Sequence, residues 1–200
     1  MQFVLATASE HKAREIDAIL RATDVDIELI PRPTDVPDVA ETGVTFEDNA
    51  RLKAIALCDA TGLPALADDT GLEVDALGGA PGVHSGRFAG DHDTDANIAK
   101  LLELLRDVPD EHRTARFVTV AVARFPDGRE VAAFGEVAGR IVADDRDGPE
   151  GFGYDRVFVP TEGDGRTFAE MTAAEKHEVS HRGRAFRTLA DGLRIMEATS

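Results

Sequence analysis

Apolar and polar positions along this chain form short blocks that predict alternating strands and helices. The apolar block FVLATA at residues 3–8 predicts a buried strand, and EHKAREIDAILRAT after it has the spacing of an amphipathic helix. The apolar side chains on the predicted helical face are Ala13, Ile16, Ile19 and Leu20. A second strand is predicted in DIELIP at residues 26–31. This strand–helix–strand order is typical of a parallel sheet.

A stronger helix is predicted in the segment TFEDNARLKAIALCDATG. Thr45 can cap its first turn, and Gly62 can end it. Cys58 lies on its apolar face with Phe46 and Leu57, and we interpret it as a core residue because free cysteines are usually buried. The acidic connection before this helix, PRPTDVPDVAETG, is long, as functional loops often are.

The rest of the chain continues the alternation. A buried strand is predicted in PALAD at residues 64–68, a glycine-rich loop in LGGAPGVHSGRFAG and an amphipathic helix in DANIAKLLELLRD. After this helix we predict two long strands around the turn Asp127-Gly128. The last predicted elements are a short strand, RVFVP, and helices between residues 172 and 198. We therefore predict one α/β domain over residues 1–200, with two lobes and a cleft.

Composition narrows the class of protein. The 200 residues are 42% hydrophobic and carry a net charge of −16. These values are typical of a soluble globular protein and disfavour broad binding to nucleic acid. One cysteine excludes an internal disulfide framework and a multi-thiolate zinc site. Because we find neither a long apolar run nor the pattern of a secretory signal, we expect a cytoplasmic protein without a membrane partner.

The turn after the first strand is a candidate phosphate site. Unpaired backbone N–H groups and the positive end of a helix dipole meet at such a turn. Hydroxyl groups and an ammonium group lie within the same six residues. The alternative is a helix cap by Ser9 or Thr7 with nothing bound. The chain has no GxxxxGK[ST] motif and no usable GxGxxG motif elsewhere. The residues of the turn are Thr7, Ala8, Ser9, Glu10, His11 and Lys12.

Carboxylates form a second candidate cluster. Glu41 ends the long acidic loop, and Asp68 and Asp69 come at the end of a buried strand. Ligands of open α/β sheets gather at the carboxyl ends of strands, and carboxylates there suit Mg²⁺. Neighbours on a strand point to opposite sides, so we expect different roles for Asp68 and Asp69, such as metal binding and proton acceptance. The alternative is that Asp68-Asp69-Thr70-Gly71 simply makes a turn.

A third candidate cluster lies in the last quarter of the chain. Phe152 stands between two glycines in GFGYD, which suits a ring that stacks on a nucleobase. Asp155 and Arg182 can hydrogen-bond to the edge of that base. The same residues also fit a purely structural role, with Phe152 in the core and His181-Arg182 at the solvated start of a helix.

The order of these segments is more specific than any one of them. Five segments resemble, in order, the inosine/xanthosine triphosphate pyrophosphatases, the Ham1/RdgB-like family: VLATASEHKAREI, ETGVTFEDNARLKA, ADDTGLEVDALGGAPGVHSGRFAG, GFGYDRVF and AAEKHEVSHRGRA. The resemblance implies hydrolysis of the non-standard purine nucleotides ITP, dITP and XTP to the monophosphate and pyrophosphate, which cleanses the nucleotide pool. It also implies dependence on Mg²⁺, a homodimer, and a two-lobed α/β fold around an elongated mixed sheet, with flanking helices and a nucleotide-binding cleft between the lobes.

The resemblance also implies roles for individual residues. The turn from Thr7 to Lys12 would hold the triphosphate together with Lys53. Glu41 and Asp69 would bind the metal, and Asp69 would also be the general base. Thr70 would contact the substrate. The residues implied around the nucleoside are Phe152, Gly153, Tyr154, Asp155, Lys176, His181 and Arg182.

Three positions depart from the family pattern. The first block reads TASEHK instead of TGN-x-x-K, Thr70 stands where serine is common, and Arg156 replaces a proline. None of these changes removes a proposed charge. Two other functions stay open. One is a Maf-like pyrophosphatase acting on pyrimidine or modified nucleotides, against which the SHR and GFGYD blocks argue, and the other is a non-catalytic nucleotide sensor.

Overall fold

The computed structural model describes residues 1–90, 93–148 and 151–199. The strands in these ranges are β1 (Gln2–Leu5), β2 (Glu28–Ile30), β3 (Ala65–Val74), β4 (Thr114–Arg124), β5 (Glu130–Ile141) and β6 (Phe158–Pro160). The helices are α1 (Glu10–Arg21), α2 (Phe46–Thr61), α3 (Thr94–Leu104), α4 (Ala173–Val179) and α5 (His181–Ala198). The predicted α/β class is confirmed.

The strands form one mixed, open sheet in the order β2-β1-β3-β4-β5-β6. β1 pairs in parallel with both β2 and β3, which confirms the predicted strand–helix–strand opening. β5 and β6 are antiparallel. β3 continues beyond the predicted residues 64–68 to Val74, so Asp68, Asp69 and Thr70 lie within a strand. The alternative of a turn at these residues is therefore wrong.

Two compact units divide the chain, and neither is a continuous segment. The first consists of Met1–Asp69, Thr119–Gly135 and Arg182–Ser200, and the second of Thr70–Val118 and Glu136–His181. β3, β4 and β5 each contribute residues to both units. The single domain over residues 1–200 and the cleft stay predictions.

The core of the first unit forms where the apolar face of α1 packs with α5. Ile16, Ile19 and Leu20 are buried in one cluster with Phe186 and Leu189. This confirms the predicted apolar face of α1. A smaller cluster contains Cys58, Leu57, Val4 and Ala65. The interpretation of Cys58 as a core residue is confirmed as well.

The core of the second unit contains a group of aromatic rings in mutual contact. Phe117 contacts Phe158 edge to face, with 4.8 Å between ring centroids, and also stacks on Phe168. Leu101 and Leu105 complete the same cluster from α3 and the residue after it. The amphipathic helix predicted in DANIAKLLELLRD therefore buries its apolar side in this unit.

The ends of α2 follow the predicted signals. Thr45 Oγ1 accepts a hydrogen bond of 3.0 Å from the N–H of Asp48. Gly62 closes the helix at φ 66°, a left-handed conformation that glycine adopts without steric strain. These two caps determine where α2 begins and ends. Among the described residues, no helix is both long enough and apolar enough to cross a bilayer.

Candidate active site

The turn between β1 and α1 is capped by its own hydroxyl groups. Ser9 Oγ accepts a hydrogen bond of 3.3 Å from the N–H of Lys12, and the N–H of Ser9 donates to Thr7 Oγ1 over 3.1 Å. The cap that the sequence offered as an alternative is therefore present. A cap satisfies only one of the four N–H groups that a helix leaves without partners, so it does not exclude a phosphate at this turn.

A pocket of about 540 Å³ opens beside this turn. The segment from Pro31 to Asp38 forms part of its wall. This segment belongs to the long acidic loop, and Arg32 binds Asp38 and the carbonyl oxygen of Val36 within it. The lining residues from the turn and from α1 are Thr7, Ala8, Ser9, Glu10 and Ala13.

Asp68 lies among cations inside the first unit. Its Oδ2 is 3.7 Å from Lys12 Nζ and 3.5 Å from Arg182 Nη2. Arg182 also donates to Glu15 Oε2 over 2.5 Å, and Asp68, Arg182 and Glu15 are all buried. Burial lowers the pKa of Lys12, and Asp68 opposes this shift while the Arg182 charge adds to it. Asp68 thus offsets part of the positive charge that Lys12 and Arg182 place there.

Asp69 faces a different set of groups, as expected for neighbours on a strand. Lys53 Nζ is 2.9 Å from Asp69 Oδ1 and 3.2 Å from Glu41 Oε1. Burial raises the pKa of Asp69, and the nearby Lys53 charge offsets only part of this effect. Burial alone would lower the pKa of Lys53, but Asp69, Asp68 and Glu41 outweigh it and raise that pKa. The structure therefore brings Glu41, Lys53 and Asp69 together.

Asn49 completes the surroundings of Asp69. Its Nδ2 donates to Asp69 Oδ2 over 3.2 Å, and its Oδ1 accepts from the N–H of Gly43 over 2.8 Å. Asn49 is fully buried and lies one helical turn before Lys53 on α2. Each oxygen of the Asp69 carboxylate thus has a donor from α2.

Glu41 and Asp69 are suitable for a hard divalent cation. Both carboxylates already face one positive charge, the Lys53 ammonium group. Among the described residues, no group of three or more Asp, Glu, His or Cys side chains could hold a metal. Mg²⁺ commonly takes only one or two carboxylates and completes its shell with water and substrate phosphate oxygens. The donor set therefore fits Mg²⁺ better than an ion that needs a full protein cage.

The second unit holds most of the residues expected around a nucleoside. Lys176 Nζ lies 2.8 Å from Asp155 Oδ2, and both side chains are buried. The same carboxylate accepts a hydrogen bond from the N–H of Phe152. The Phe152 ring is 42% exposed, whereas Tyr154 is buried and donates to the carbonyl oxygen of Ser85. Exposure rather than burial in the core makes Phe152 available for stacking on a base.

His181 is held between aromatic rings of the second unit. Its imidazole stacks on Phe117 with 4.5 Å between centroids and 10° between planes, and Phe168 lies beside it. His181 and Arg182 are both buried, so the alternative of a solvated helix start is wrong. Thr70 is half-buried in the second unit, next to the boundary at Asp69.

Arg156, whose effect the sequence leaves open, is part of an ion-pair group. It donates to Asp145 over 2.7 Å and to Asp95 over 2.6 Å. The hydrogen bonds that Arg156 donates to Asp145 and, to a smaller extent, to Asp95 raise its pKa. The arginine that replaces the family's proline thus links the segment after β5 to the first turn of α3.

Sequence reasoning missed Glu15 and Asn49. Both are polar residues on the apolar faces of their helices, Glu15 beside Ile16 and Asn49 beside Ala50. A polar residue on such a face needs a buried partner, and this was the available signal. The partners lie more than a hundred positions from Glu15 and 20 positions from Asn49, so spacing alone could not identify them.

Comparison with known proteins agrees with this geometry. The model of the Ham1 family matches residues 3–192. The chain is 48% identical to a dITP/XTP pyrophosphatase of Lactiplantibacillus plantarum, over 93% of this chain and 91% of the relative. It is 49% identical to a dITP/XTP pyrophosphatase of Frankia alni, over 97% and 98% of the two chains. The solved structure of a HAM1 protein from Coxiella burnetii superposes with a TM-score of 0.85 and 40% identity, covering 97% of this chain and 98% of that one. The chain therefore belongs to the Ham1 family.

Proposed function

We propose that this chain is a nucleoside triphosphate pyrophosphatase that hydrolyses ITP, dITP and XTP to the monophosphate and pyrophosphate. The observation that carries the proposal is the position of Lys53 Nζ within 3.2 Å of Glu41 and 2.9 Å of Asp69. The relatives named dITP/XTP pyrophosphatases support this substrate class. Such an activity removes deaminated purines before they enter DNA or RNA.

Lys12 and Lys53 hold the polyphosphate in this proposal. Both ammonium groups belong to the first unit, and their present partners are the carboxylates Asp68, Asp69 and Glu41. A triphosphate carries several negative charges on adjacent phosphates and competes for the same N–H donors. The turn from Thr7 to Lys12 adds the positive end of the α1 dipole. The fit is therefore with a substrate that carries several adjacent phosphates.

Asp69 is the proposed general base. It takes a proton from water while the water oxygen bonds to the α-phosphorus and the bond from that phosphorus to the bridging oxygen breaks. Pyrophosphate leaves with the bridging oxygen, and Lys12 and Lys53 stabilise its charge. Burial raises the pKa of Asp69, which makes its carboxylate a stronger base.

Glu41 and Asp69 would hold Mg²⁺. The ion would supply charge neutralisation at the phosphate oxygens. Both carboxylates already lie around a cation, and this supports the assignment. The homodimer and the cytoplasmic location stay predictions.

The residues of the second unit are proposed to contact the nucleoside. Phe152 offers a half-exposed ring for stacking, and Lys176 is a buried donor held by Asp155. A buried donor can hydrogen-bond to the 6-keto oxygen of a purine. Adenine carries a 6-amino group instead, which cannot accept that bond, so the donor would lose its partner. Sites that recognise a polar group in this way discriminate strongly. We therefore expect ATP to be a poor substrate.

The decisive experiment measures pyrophosphate release by the purified chain with Mg²⁺ and one nucleotide at a time. ITP, dITP and XTP should release pyrophosphate, whereas ATP, GTP and dTTP should be much poorer substrates. Release from dTTP but not from ITP would indicate the Maf-like activity. Binding of ITP without release would indicate the nucleotide sensor. Either result would overturn the proposal.

Asp69→Asn tests the role of the base. The amide keeps the size of the side chain but cannot accept the proton, so turnover should fall by about a thousandfold or more, as for other general bases. ITP affinity, measured by calorimetry without Mg²⁺, should change little. Asp59→Asn, a change of an exposed aspartate on α2, is the control and should keep full turnover. Wild-type turnover in Asp69→Asn would remove Asp69 from the mechanism.

A further inference from the structure

Asn49 is a fully buried amide whose two ends contact different parts of the candidate site. Its nitrogen donates to Asp69, and its oxygen accepts from the backbone of Gly43. Gly43 lies two residues after Glu41, on the same loop. One side chain on α2 therefore links the segments that carry both proposed metal-binding carboxylates.

The bonding partners of Asn49 determine the orientation of its amide. The N–H of Gly43 can only donate, so it must face the amide oxygen, and a carboxylate must face the amide nitrogen. The opposite orientation would place two donors together and two oxygens together. Asn49 is therefore held in one orientation by both contacts at once.

The packing around Gly43 leaves no room for a side chain. A Cβ atom at this position would lie 2.6 Å from Asn49 Oδ1 and 2.6 Å from Asp48 Cβ. The loop backbone thus packs directly against the start of α2. The side chain that donates to Asp69 is Asn49, which is short and lies where the loop meets α2. Its amide therefore has less freedom to move than the long side chain of Lys53.

The two oxygens of Asp69 have different donors. Oδ1 faces Lys53, and Oδ2 faces Asn49. Lys53 is also proposed to bind the polyphosphate, so its contact with Asp69 is open to change when substrate binds. Asn49 is neutral and has no such second role, so it can keep the carboxylate plane fixed throughout.

We propose that Asn49 is a positioning residue that orients the Asp69 carboxylate for proton transfer and couples it to the loop of Glu41. This inference rests on the proposed function of Asp69 as general base. Asn49 is fully buried, so we expect it to act through Asp69 rather than by touching the substrate. Its effect should therefore fall on kcat rather than on KM, because it supports a step that follows binding.

Asn49→Asp is the sharpest test. The new carboxylate keeps the size and the oxygen that faces Gly43, but it places a negative oxygen against Asp69 Oδ2. We expect kcat with ITP to fall by about a hundredfold, as when a reacting group is misplaced by about 1 Å. The KM should change by less than about threefold.

Asn97→Asp is a matched control in the second unit. Asn97 is also a buried asparagine near the start of its helix, and it accepts from the N–H of Ala89 and donates to the carbonyl oxygen of Gly86. The same substitution therefore breaks a comparable buried hydrogen bond away from the proposed base. It should lower the Tm while leaving kcat near that of the wild type.

Asn49→Ala provides a second variant that does not introduce a buried charge. It should lower kcat in the same direction, and its Tm should be compared with that of Asp69→Asn and of the double variant. A combined Tm shift smaller than the two single shifts together would show the direct contact without any measurement of activity.

Three results would overturn the positioning role. The first is a kcat within about threefold of the wild type for both Asn49 variants, and the second is a loss of kcat in Asn97→Asp as large as that in Asn49→Asp. The third is a Tm shift of the double variant equal to the sum of the Asn49→Ala and Asp69→Asn shifts. Any one of them is sufficient. The wild-type assay separates this inference from the proposed function. If the wild type hydrolyses none of the nucleotides, the proposed function fails, and the additivity of Tm shifts still decides whether Asn49 holds Asp69.

Discussion

Lys53 forms ion pairs with two carboxylates of the first unit. Its ammonium group contacts Glu41 and Asp69, and the combined field of Asp69, Asp68 and Glu41 raises its pKa despite burial. It therefore stays charged at neutral pH. A permanent charge in this position is suited to an anionic substrate.

Lys53→Ala should weaken binding of the triphosphate much more than binding of the free nucleoside, because only the triphosphate carries the charges that Lys53 neutralises. Loss of one buried charged contact should raise the Kd for ITP by about tenfold or more. Calorimetry with ITP and with inosine, on Asp69→Asn protein to prevent turnover, measures both. Lys100→Ala, which removes an exposed lysine of the second unit, is the control. Equal losses for ITP and inosine would show a structural role.

At the residue scale, the sequence indicates which charged residues belong to the candidate site, but not which buried residues bind them. The sequence and the family resemblance together indicate Glu41, Lys53 and Asp69 as site residues, and the structure brings them together. Glu15 and Asn49 were missed because their roles depend on contacts made only after folding. The resemblance implies that Arg182 lies near the nucleoside, whereas its described contacts are with Glu15 and Asp68 in the first unit.

Among the elements, α4 shows how a short helix can present a buried cation. Thr172 and Glu175 form a capping box at its start, and Arg166 binds the Glu175 carboxylate. Lys176 follows directly and points into the core toward Asp155. Seven residues are too few for a stable isolated helix, so the cap and the buried pair must maintain α4.

Glu175→Gln should lower the Tm in a pH-dependent way. Hydrogen bonds from Arg166 and then Thr172 lower the pKa of Glu175 from 4.5 to about 2. A lowered carboxyl pKa stabilises the fold above the unfolded value, and this contribution is lost as the pH falls from 4.5 toward 2.

Thermal unfolding at several pH values measures this effect. The difference in Tm between wild type and Glu175→Gln should be on the order of 2 °C at pH 6, as for an exposed ion pair, and should disappear toward pH 2. Glu197→Gln, at an exposed site near the end of α5, should show no such dependence. A constant difference across the range would contradict the assignment.

Element positions followed from the sequence where local signals were strong. The caps of α2, the apolar face of α1 and the turn at Asp127-Gly128 all gave correct elements. The extent of β3 was underestimated, because two aspartates and a glycine disfavour a strand locally. Asp68 and Asp69 are buried beside cationic side chains, and their strand pairs within the sheet; together these contacts outweigh the local preference. Both depend on residues distant in the sequence, so no local pattern predicts them.

At the scale of the whole molecule, the polypeptide alternates between the two compact units. The first unit consists of three segments of the chain and the second of two. The backbone therefore passes between the units four times. Each unit nevertheless has its own buried core, with Leu189 in the first and Leu101 in the second. Neither unit can be separated without cutting strands.

Leu189→Ala and Leu101→Ala should each lower the midpoint of one shared unfolding transition. Both side chains are fully buried, so each change should cost about 2–5 kcal/mol. Calorimetry is the measurement, and Leu104→Ala, at a half-exposed position on α3, should have a small effect. Two separate transitions, with only one shifted by each variant, would show that the units unfold independently.

The contacts of Lys53 have a consequence for the order in which ligands bind. The lysine serves as an internal counter-ion for Glu41 and Asp69, so a divalent ion arriving alone must compete with it for the same oxygens. A polyphosphate offers the ammonium group another anion and thereby releases the carboxylates. Ion and nucleotide would then favour each other's binding by the same factor, since thermodynamic linkage is reciprocal. On the proposed function, such a site would bind Mg²⁺ weakly by itself and would acquire the ion together with the nucleotide.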